Sequence, residues 1–469
     1  MKKITSISLT ILFITAFSFQ IARAETLNQV SDFYVNSEYD LSGRSKLTAV
    51  LKVITDKFYI YFDRSWLESL EPSVRDKVIN KTIVLSYNFQ NKDYYNLIQT
   101  FGPEPLQSTN SSDPRLILLV HPLSPEVGGY SQGNDLYPAN VYTNSNQRNI
   151  VYFNANNLLE ENSSQNNAYY LAHEFTHLLT YNQKNVKNNK SETPWLSELY
   201  SEATSYLLGY DNGINSPLTE RLKDFSVNPH GNLGDWQNTL SDYASVKILS
   251  QYIIDHYGFK VLTVAFQSNL IGEESLNYSL KKWGYKESFS DIYHNWLLSV
   301  LINDCHYGDK YCFKNEALKD LRIYPIGYYV PMYTSGVFTI EEKIKSLSGS
   351  WLKIVGGKGT VKVNVHTDTP DKFKLIYLSS TNGNNYQIND AFISNGTGEI
   401  YFPNFDPQKS AALLIPYCLN NGTKSCNYSL QIVSNSNIDE EAIIIKLRQI
   451  IVLLQAQLAQ LLKQRGLTA

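Results

Sequence analysis

Two histidines four residues apart, with a glutamate beside the first, are the residues of this chain best suited to chemistry: His173, Glu174 and His177, in YYLAHEFTHLLTYNQ over residues 169–183. On a helix, positions i and i+4 leave the same face, so both imidazoles can hold one ion. The run is H-E-x-x-H, which in zinc peptidases supplies two ligands and a general base.

A catalytic zinc takes a third protein ligand and keeps its fourth position for water. Downstream, TPWLSELYSEATSYLLG reads as a helix with Thr193 as N-cap, Pro194 in the first helical position and Gly209 as terminator. On it Glu198 and Glu202 are again one turn apart on a common face. One of them can ligate the metal while the other accepts a hydrogen bond from the far nitrogen of a ligand histidine, fixing its tautomer. A purely structural role for His173 and His177, as polar contacts inside a helical bundle, leaves this second acidic pair and the Trp-Leu before it unexplained.

HEFTH followed by the glutamate of WLSEL resembles the gluzincin clan of zinc metallopeptidases, and is most similar to the secreted bacterial hyicolysin-like family, which has HEF and an exit like Asn182-Gln183-Lys184. The resemblance implies an α+β, zincin-like catalytic domain with a mixed N-terminal sheet, an active-site helix and a helical C-terminal lobe. It also implies one zinc ion per chain held by His173, His177 and Glu198, with Glu174 as the base and Glu202 orienting a ligand. The substrate would be a peptide or protein. GGYSQGNDLYPANVYTNSNQRNIVYFN, residues 128–154, is similar to the stretch that leads through the substrate-binding edge strand into the active-site helix. SDYASVKILSQYIIDHYG, residues 241–258, resembles the segment that presents a tyrosine to the tetrahedral intermediate, which makes Tyr243 the expected oxyanion donor.

The likeness covers residues 46–296. Two departures stand out: Ser197 occupies a position where many relatives have asparagine, and no Gly-x-Met-Glu-Asn run is present to grip a free amino terminus. The second favours an endopeptidase over an aminopeptidase.

The elements that must position these residues follow from periodicity. Residues 46–62 contain alternating and β-branched segments that predict two strands, and helical periodicity follows over residues 74–98. LILLV at 116–120 and IVYF at 150–153 predict further strands, the latter directly before the HEFTH helix. Strands and helices mixed without strict alternation predict an α+β fold. Residues 195–301 read as mainly helical, with a gap near 228–234. From about residue 324, WLKIV, TVKVNV, KFKLIYL, EIYF, AALLI and SLQIV are short strands between polar turns, the pattern of a β-sandwich.

A last helix follows a linker near residues 434–437. Ile444, Leu447, Ile451, Leu454, Leu458 and Leu461 repeat at alternating steps of three and four, the seam of a coiled coil, which predicts self-association. Lys446, Arg448 and three glutamines interrupt the apolar run and argue against a membrane span. The other use of such a face is to pack on the chain's own sandwich. The expected organisation is a signal peptide over 1–24, the α+β part of the catalytic domain over 25–210, its helical lobe over 211–323, a β-sandwich over 324–434 and the coiled coil over 438–465.

Length and composition are compatible with this. The 469 residues, 43% hydrophobic and 18% charged, can bury a core in more than one domain, and a net charge of -3 without a basic block gives no footprint for nucleic acid. Lys2 and Lys3, the apolar run 4–19 and Ala22-Arg23-Ala24 have the form of a secretory signal peptide, rather than of an uncleaved anchor, for which the run is short. Export predicts that Cys305 with Cys312, and Cys418 with Cys426, close as local disulfides, leaving no transmembrane span after signal removal. The remaining histidines are isolated, and His230 is the one placed in a loop before Tyr243 from which it could reach an active-site cleft. A reading from another class is a secreted adhesion or scaffold protein on a decayed peptidase fold, against which stands the intact set of ligands and base.

Overall fold

The protein is described by a computed structural model over residues 25–105, 113–161, 164–229, 232–330, 337–380, 385–406, 408–419, 425–435, 447–452, 454–455 and 457–459. The expected signal peptide, His230 and much of the expected coiled coil lie outside the described residues. The fold is mixed α+β, in two compact units, Met1–Asn189 and Lys190–Ala469.

The first unit comprises β1 (Val30–Tyr34), β2 (Lys46–Ile54), β3 (Phe58–Asp63), α1 (Arg64–Ser69), α2 (Pro72–Asn88), α3 (Tyr94–Phe101), β4 (Leu116–His121), β5 (Gly129–Ser131), β6 (Ile150–Asn154) and α4 (Ser164–Tyr181). Its six strands form one sheet in the order β1-β2-β3-β4-β6-β5. Every residue of β3, β4 and β6 is buried. That accounts for their unbroken apolar runs, because strands covered on both faces need not alternate, and β3–β4 and β4–β6 are the parallel pairs. At the rim of the sheet β1 pairs with β2 and β5 pairs with β6, both antiparallel.

The two faces of this sheet do different work. Leu47, Leu51, Tyr59, Tyr61, Ile117, Leu119 and Tyr152 close a core on one side. On the other, Phe58 meets Phe89 at 5.6 Å between ring centroids, and both Phe89 and Tyr94 pack on Phe175 of α4 at 5.4 Å. Phe89 reaches this position from a π-helical turn, Phe89–Asp93, that interrupts the helix expected across residues 74–98. Burial of Phe175 sets the roll of α4, since its neighbour Glu174 must then project some 100° away around the helix.

The second unit opens with six helices: α5 (Pro194–Leu208), α6 (Pro217–Val227), α7 (Leu240–Tyr257), α8 (Phe259–Gln267), α9 (Gly272–Lys282) and α10 (Phe289–Ile302). Capping boxes start α7 (Thr239 with Asp242) and α10 (Ser288 with Asp291), each satisfying backbone donors that would otherwise face no partner. Then come β7 (Ile326–Val330), β8 (Val337–Lys345), β9 (Ser348–Gly349), β10 (Leu352–Gly356), β11 (Gly359–Thr367), β12 (Phe373–Ser380), β13 (Gln387–Asp390), β14 (Thr397–Phe405), β15 (Ala411–Cys418) and β16 (Ser425–Asn435). They make a sheet β13-β12-β15-β10-β7, with β9 on β15, and a four-stranded sheet β14-β11-β16-β8. One apolar core draws on both, including Leu352, Leu375 and Leu414 from the first and Val363, Phe402 and Leu430 from the second.

Two disulfides close, Cys305–Cys312 and Cys418–Cys426, with Cα–Cα separations of 5.1 and 5.9 Å. The second joins the ends of β15 and β16, one strand from each sheet. Within the same unit the Trp351 indole N–H donates to the Leu297 carbonyl of α10 at 3.0 Å, and the His294 ring lies 3.1 Å from the Tyr417 hydroxyl. No helix among the described residues is long and apolar enough to cross a membrane.

Candidate metal centre

His173 and Glu174 are buried on α4, and His177 is half-buried one turn on. The imidazole centroids of His173 and His177 are 5.0 Å apart at 74°, so the rings converge without stacking. Tyr169, one turn before His173, brings its hydroxyl to 3.3 Å from His173 Nδ1. An Nδ1–H donating to that oxygen leaves the lone pair on Nε2, the tautomer that binds a metal. Thr176 and Thr180 spend their hydroxyls on the carbonyls of Ala172 and Thr176, at 2.8 and 3.0 Å, and so leave the ligand face to the histidines.

Glu174 is confined by the chain before it. A Cβ built on Gly129 would stand 2.9 Å from Glu174 Cγ and 2.7 Å from the Tyr152 carbonyl oxygen, closer than a side chain tolerates. Gly128 has the same relation to the Tyr170 ring, at 2.6 Å, and Gly133 to the Tyr181 ring, at 2.4 Å. The backbone from 128 to 133 therefore runs beside α4 in the same direction, and glycine at these three places is what lets it approach.

On α5 the expected Pro194 start and the left-handed Gly209 stop are both present. Thr193 stands at the N-cap without a side-chain cap bond, and its backbone N–H and hydroxyl both donate to Glu192 Oε1, at 2.8 and 3.4 Å. Trp195 is buried and stacks on Phe289 at 5.2 Å, which anchors the first turn. Glu198 is half-buried. Of the described residues, His173, His177 and Glu198 form the group of three that could hold a metal, with ligand atoms all within 4.8 Å of one another. Two imidazole nitrogens and one carboxylate are a donor set that suits zinc.

Glu202 is placed differently from the sequence expectation. It is fully buried, and its Oε1 accepts from Arg221 Nε at 3.1 Å and Nη2 at 2.9 Å, while Oε2 has no hydrogen-bond partner. Its bonds thus go to an arginine and not to a ligand histidine, because a carboxylate removed from water is held far better by a guanidinium than by a neutral ring. The same Arg221 lies over the ring of Tyr243, its guanidinium carbon 5.0 Å from the centroid. Tyr243 is half-buried in the first turn of α7, with Trp236 edge-on at 5.2 Å.

Arg221 and Lys247 escaped the sequence reading. Lys247 is buried, and its ammonium bonds the Glu202 carbonyl at 2.9 Å, Asp211 Oδ2 at 2.8 Å and the Ser205 hydroxyl. A positive charge at the C-terminal turn of α5 favours the helix and ties it to α7. The available signal was a lone lysine within the apolar stretch SVKILSQYII. Other histidines have one partner each away from these residues: His121 Nδ1 with Asp40, His256 Nε2 with the Cys312 carbonyl and His306 Nδ1 with Asp304.

Beneath β5, Asp135 is buried and accepts from the Tyr152 hydroxyl at 2.6 Å and from Asn146 N and Nδ2 at 3.0 and 2.9 Å. Burial raises its pKa to about 6, outweighing the lowering by those bonds. Burial likewise pushes the Tyr152 hydroxyl well up, so it remains a donor.

No protein-family model matches the sequence, and none of the curated proteins matches it. Similar solved structures include the pre-peptidase C-terminal domain of a collagenase from Bacillus anthracis, at 14% identity over 23% of this chain and 96% of that one, with a TM-score of 0.18. Yersinia pseudotuberculosis-derived mitogen is similar at 16% identity over 23% and 92%, with a TM-score of 0.17. The periplasmic g-type lysozyme inhibitor PliG of Aeromonas hydrophila is similar at 11% identity over 24% and 100%, with a TM-score of 0.18. At these scores the likeness assigns neither fold nor function to the chain.

Proposed function

We propose that the protein is an exported zinc-dependent metallopeptidase that hydrolyses peptide bonds within polypeptides. The observation that carries this reading is the approach of His173, His177 and Glu198 donor atoms to within 4.8 Å of one another, beside a buried Glu174. Bound by these three side chains, zinc would bring the pKa of a water to about 7 and polarise a carbonyl.

The chain's own residues have separable tasks. Tyr169 bonds the His173 ring at Nδ1, which would make Nε2 the nitrogen that holds the ion. Glu174 accepts a proton from the attacking water and delivers it to the leaving amine. Gly129 sets where that carboxylate stands. The Tyr243 hydroxyl donates to the oxygen that gains charge, and Arg221 fixes the ring that carries it.

The zincin-like fold of the catalytic part, the β-sandwich and the C-terminal coiled coil belong to the same proposal. The sandwich is supported by one core fed from two sheets, and export by two closed disulfides. The test is metal content with casein digestion. The purified chain should hold about one zinc, lose activity to a chelator, and lose zinc affinity by about 10-fold to 100-fold or more on Glu198→Ala. A chain without zinc and without chelator-sensitive cleavage overturns the proposal.

A further inference from the structure

Beyond Ser131, where β5 ends, the chain turns through a 3₁₀ helix, Gly133–Leu136, into a loop that exposes Tyr137, Val141 and Tyr142. Tyr137 lies 5.1 Å from Tyr142 at 51° and 6.3 Å from Tyr181 of α4 at 90°. Non-parallel rings form the walls of a corner rather than a closed stack, with the Tyr181 hydroxyl hydrogen-bonded to Tyr137.

The corner is built in advance. Ser145 Oγ donates to the Tyr137 carbonyl at 2.5 Å, and Asn146 is held by Asp135, so the loop is closed at its base. Residues 137–147, YPANVYTNSNQ, contain no charged side chain, which disfavours a charged ligand and favours an apolar ring.

Its place relative to Glu174 follows from the glycines. Gly129 presses on Glu174 and Gly133 on Tyr181, so the tyrosines lie where the backbone beside α4 leaves Glu174 behind. β5 ends its sheet, with β6 as its one neighbour in the strand order. A polypeptide adding to that edge antiparallel, the more stable pairing, runs opposite to β5 and directs its N-terminal side toward Tyr181. Past Ser131 no strand remains to pair, so a substrate residue there needs no N–H, and proline is tolerated.

We infer that Tyr137, Tyr142 and Tyr181 form a subsite for a proline or aromatic ring on the N-terminal side of the cleaved bond, in an extended polypeptide substrate. The inference rests on the metallopeptidase reading. It is tested with fluorogenic peptides of equal length and constant scissile residues that carry proline, phenylalanine or aspartate at successive upstream positions. At one position the parent enzyme should prefer a ring over aspartate by about tenfold in kcat/KM, and the Tyr137→Ala/Tyr142→Ala double variant should lose that ratio. Titrating the same peptides into Glu174→Gln protein, with and without the two tyrosine changes, reads binding apart from cleavage and should show the same loss. Casein cleaved and zinc bound, with no ring preference or with one that survives both changes, overturns the subsite and leaves the peptidase reading intact. No zinc and no casein cleavage overturn that reading. The subsite then falls with it, and zinc content with casein digestion tells this failure apart from the failure of the subsite alone.

Discussion

Gly129 and Glu174 are in a contact that no other residue at 129 could make: a Cβ there would lie 2.9 Å from Glu174 Cγ and 2.7 Å from the Tyr152 oxygen behind it. The carboxylate could shift but the backbone of β6 could not, so Gly129→Ala should displace Glu174. Casein turnover should fall about tenfold or more with zinc content retained, and stability should drop by about 1–3 kcal/mol from overpacking. Gly327→Ala, at a site with open space around the glycine, is the comparison expected to leave turnover alone. Equal turnover in both variants would show that the contact does not set the base.

Glu174→Gln keeps the shape and both histidines, so the metal should stay. It removes the group that takes the proton, so casein cleavage should fall to background. Digestion at the parent rate would show that Glu174 is not the base.

Tyr243→Phe retains the ring under Arg221 and removes only the hydroxyl. If that hydroxyl meets charge in the transition state alone, turnover should fall by about 10²-fold while KM and zinc content hold. Arg221→Met should behave otherwise: it strands the buried Glu202 carboxylate, and the unfolding free energy should fall by about 3–5 kcal/mol. Denaturant unfolding separates the two effects, and a full-rate Tyr243→Phe protein would move the oxyanion role elsewhere.

Asp135 should make stability depend on pH. Its folded pKa is raised from 3.8 to about 6, so its neutral form is the one the fold favours. This contribution is fully present below about pH 4 and is lost as pH rises through about 6, a change of about 3 kcal/mol. Asp135→Asn lacks the titration. Urea unfolding of both proteins on either side of that window should show the parent losing ground to the variant as pH rises; parallel profiles would mean that Asp135 is ionised throughout.

The C-terminal seam predicts assembly. Leu447, Ile451, Leu454 and Leu458 are exposed in the helical residues described, and isoleucine at two of the three a positions with leucine at every d position favours a parallel pair. Sedimentation of the mature chain with and without residues after Ile438 should give a dimer and a monomer; equal masses would remove the idea.

What this sequence determined alone is local. His173 and His177 share a face because a helix repeats every 3.6 residues, and Pro194 and Gly209 bound α5 because their backbone angles suit its two ends. The unbroken apolar runs of β3, β4 and β6 announce strands covered on both sides for the same kind of reason, and the cysteine pairs close over short loops. Three-residue β5 and the alternating VSDFY of β1 were not legible, since so few residues carry no period that outweighs their polar neighbours.

Tertiary structure decided which polar groups meet. Nothing in spacing along the chain says that Arg221 takes Glu202 when a ligand histidine was the expected partner, that Tyr169 serves His173, or that Asn146 and Tyr152 converge on Asp135. Each choice is made by which donor burial brings within about 3 Å of an acceptor, and burial is a property of packed elements distant in sequence. The glycines at 128, 129 and 133 show the same division: only the fold shows them pressed against Tyr170, Glu174 and Tyr181, where any side chain would be in the way.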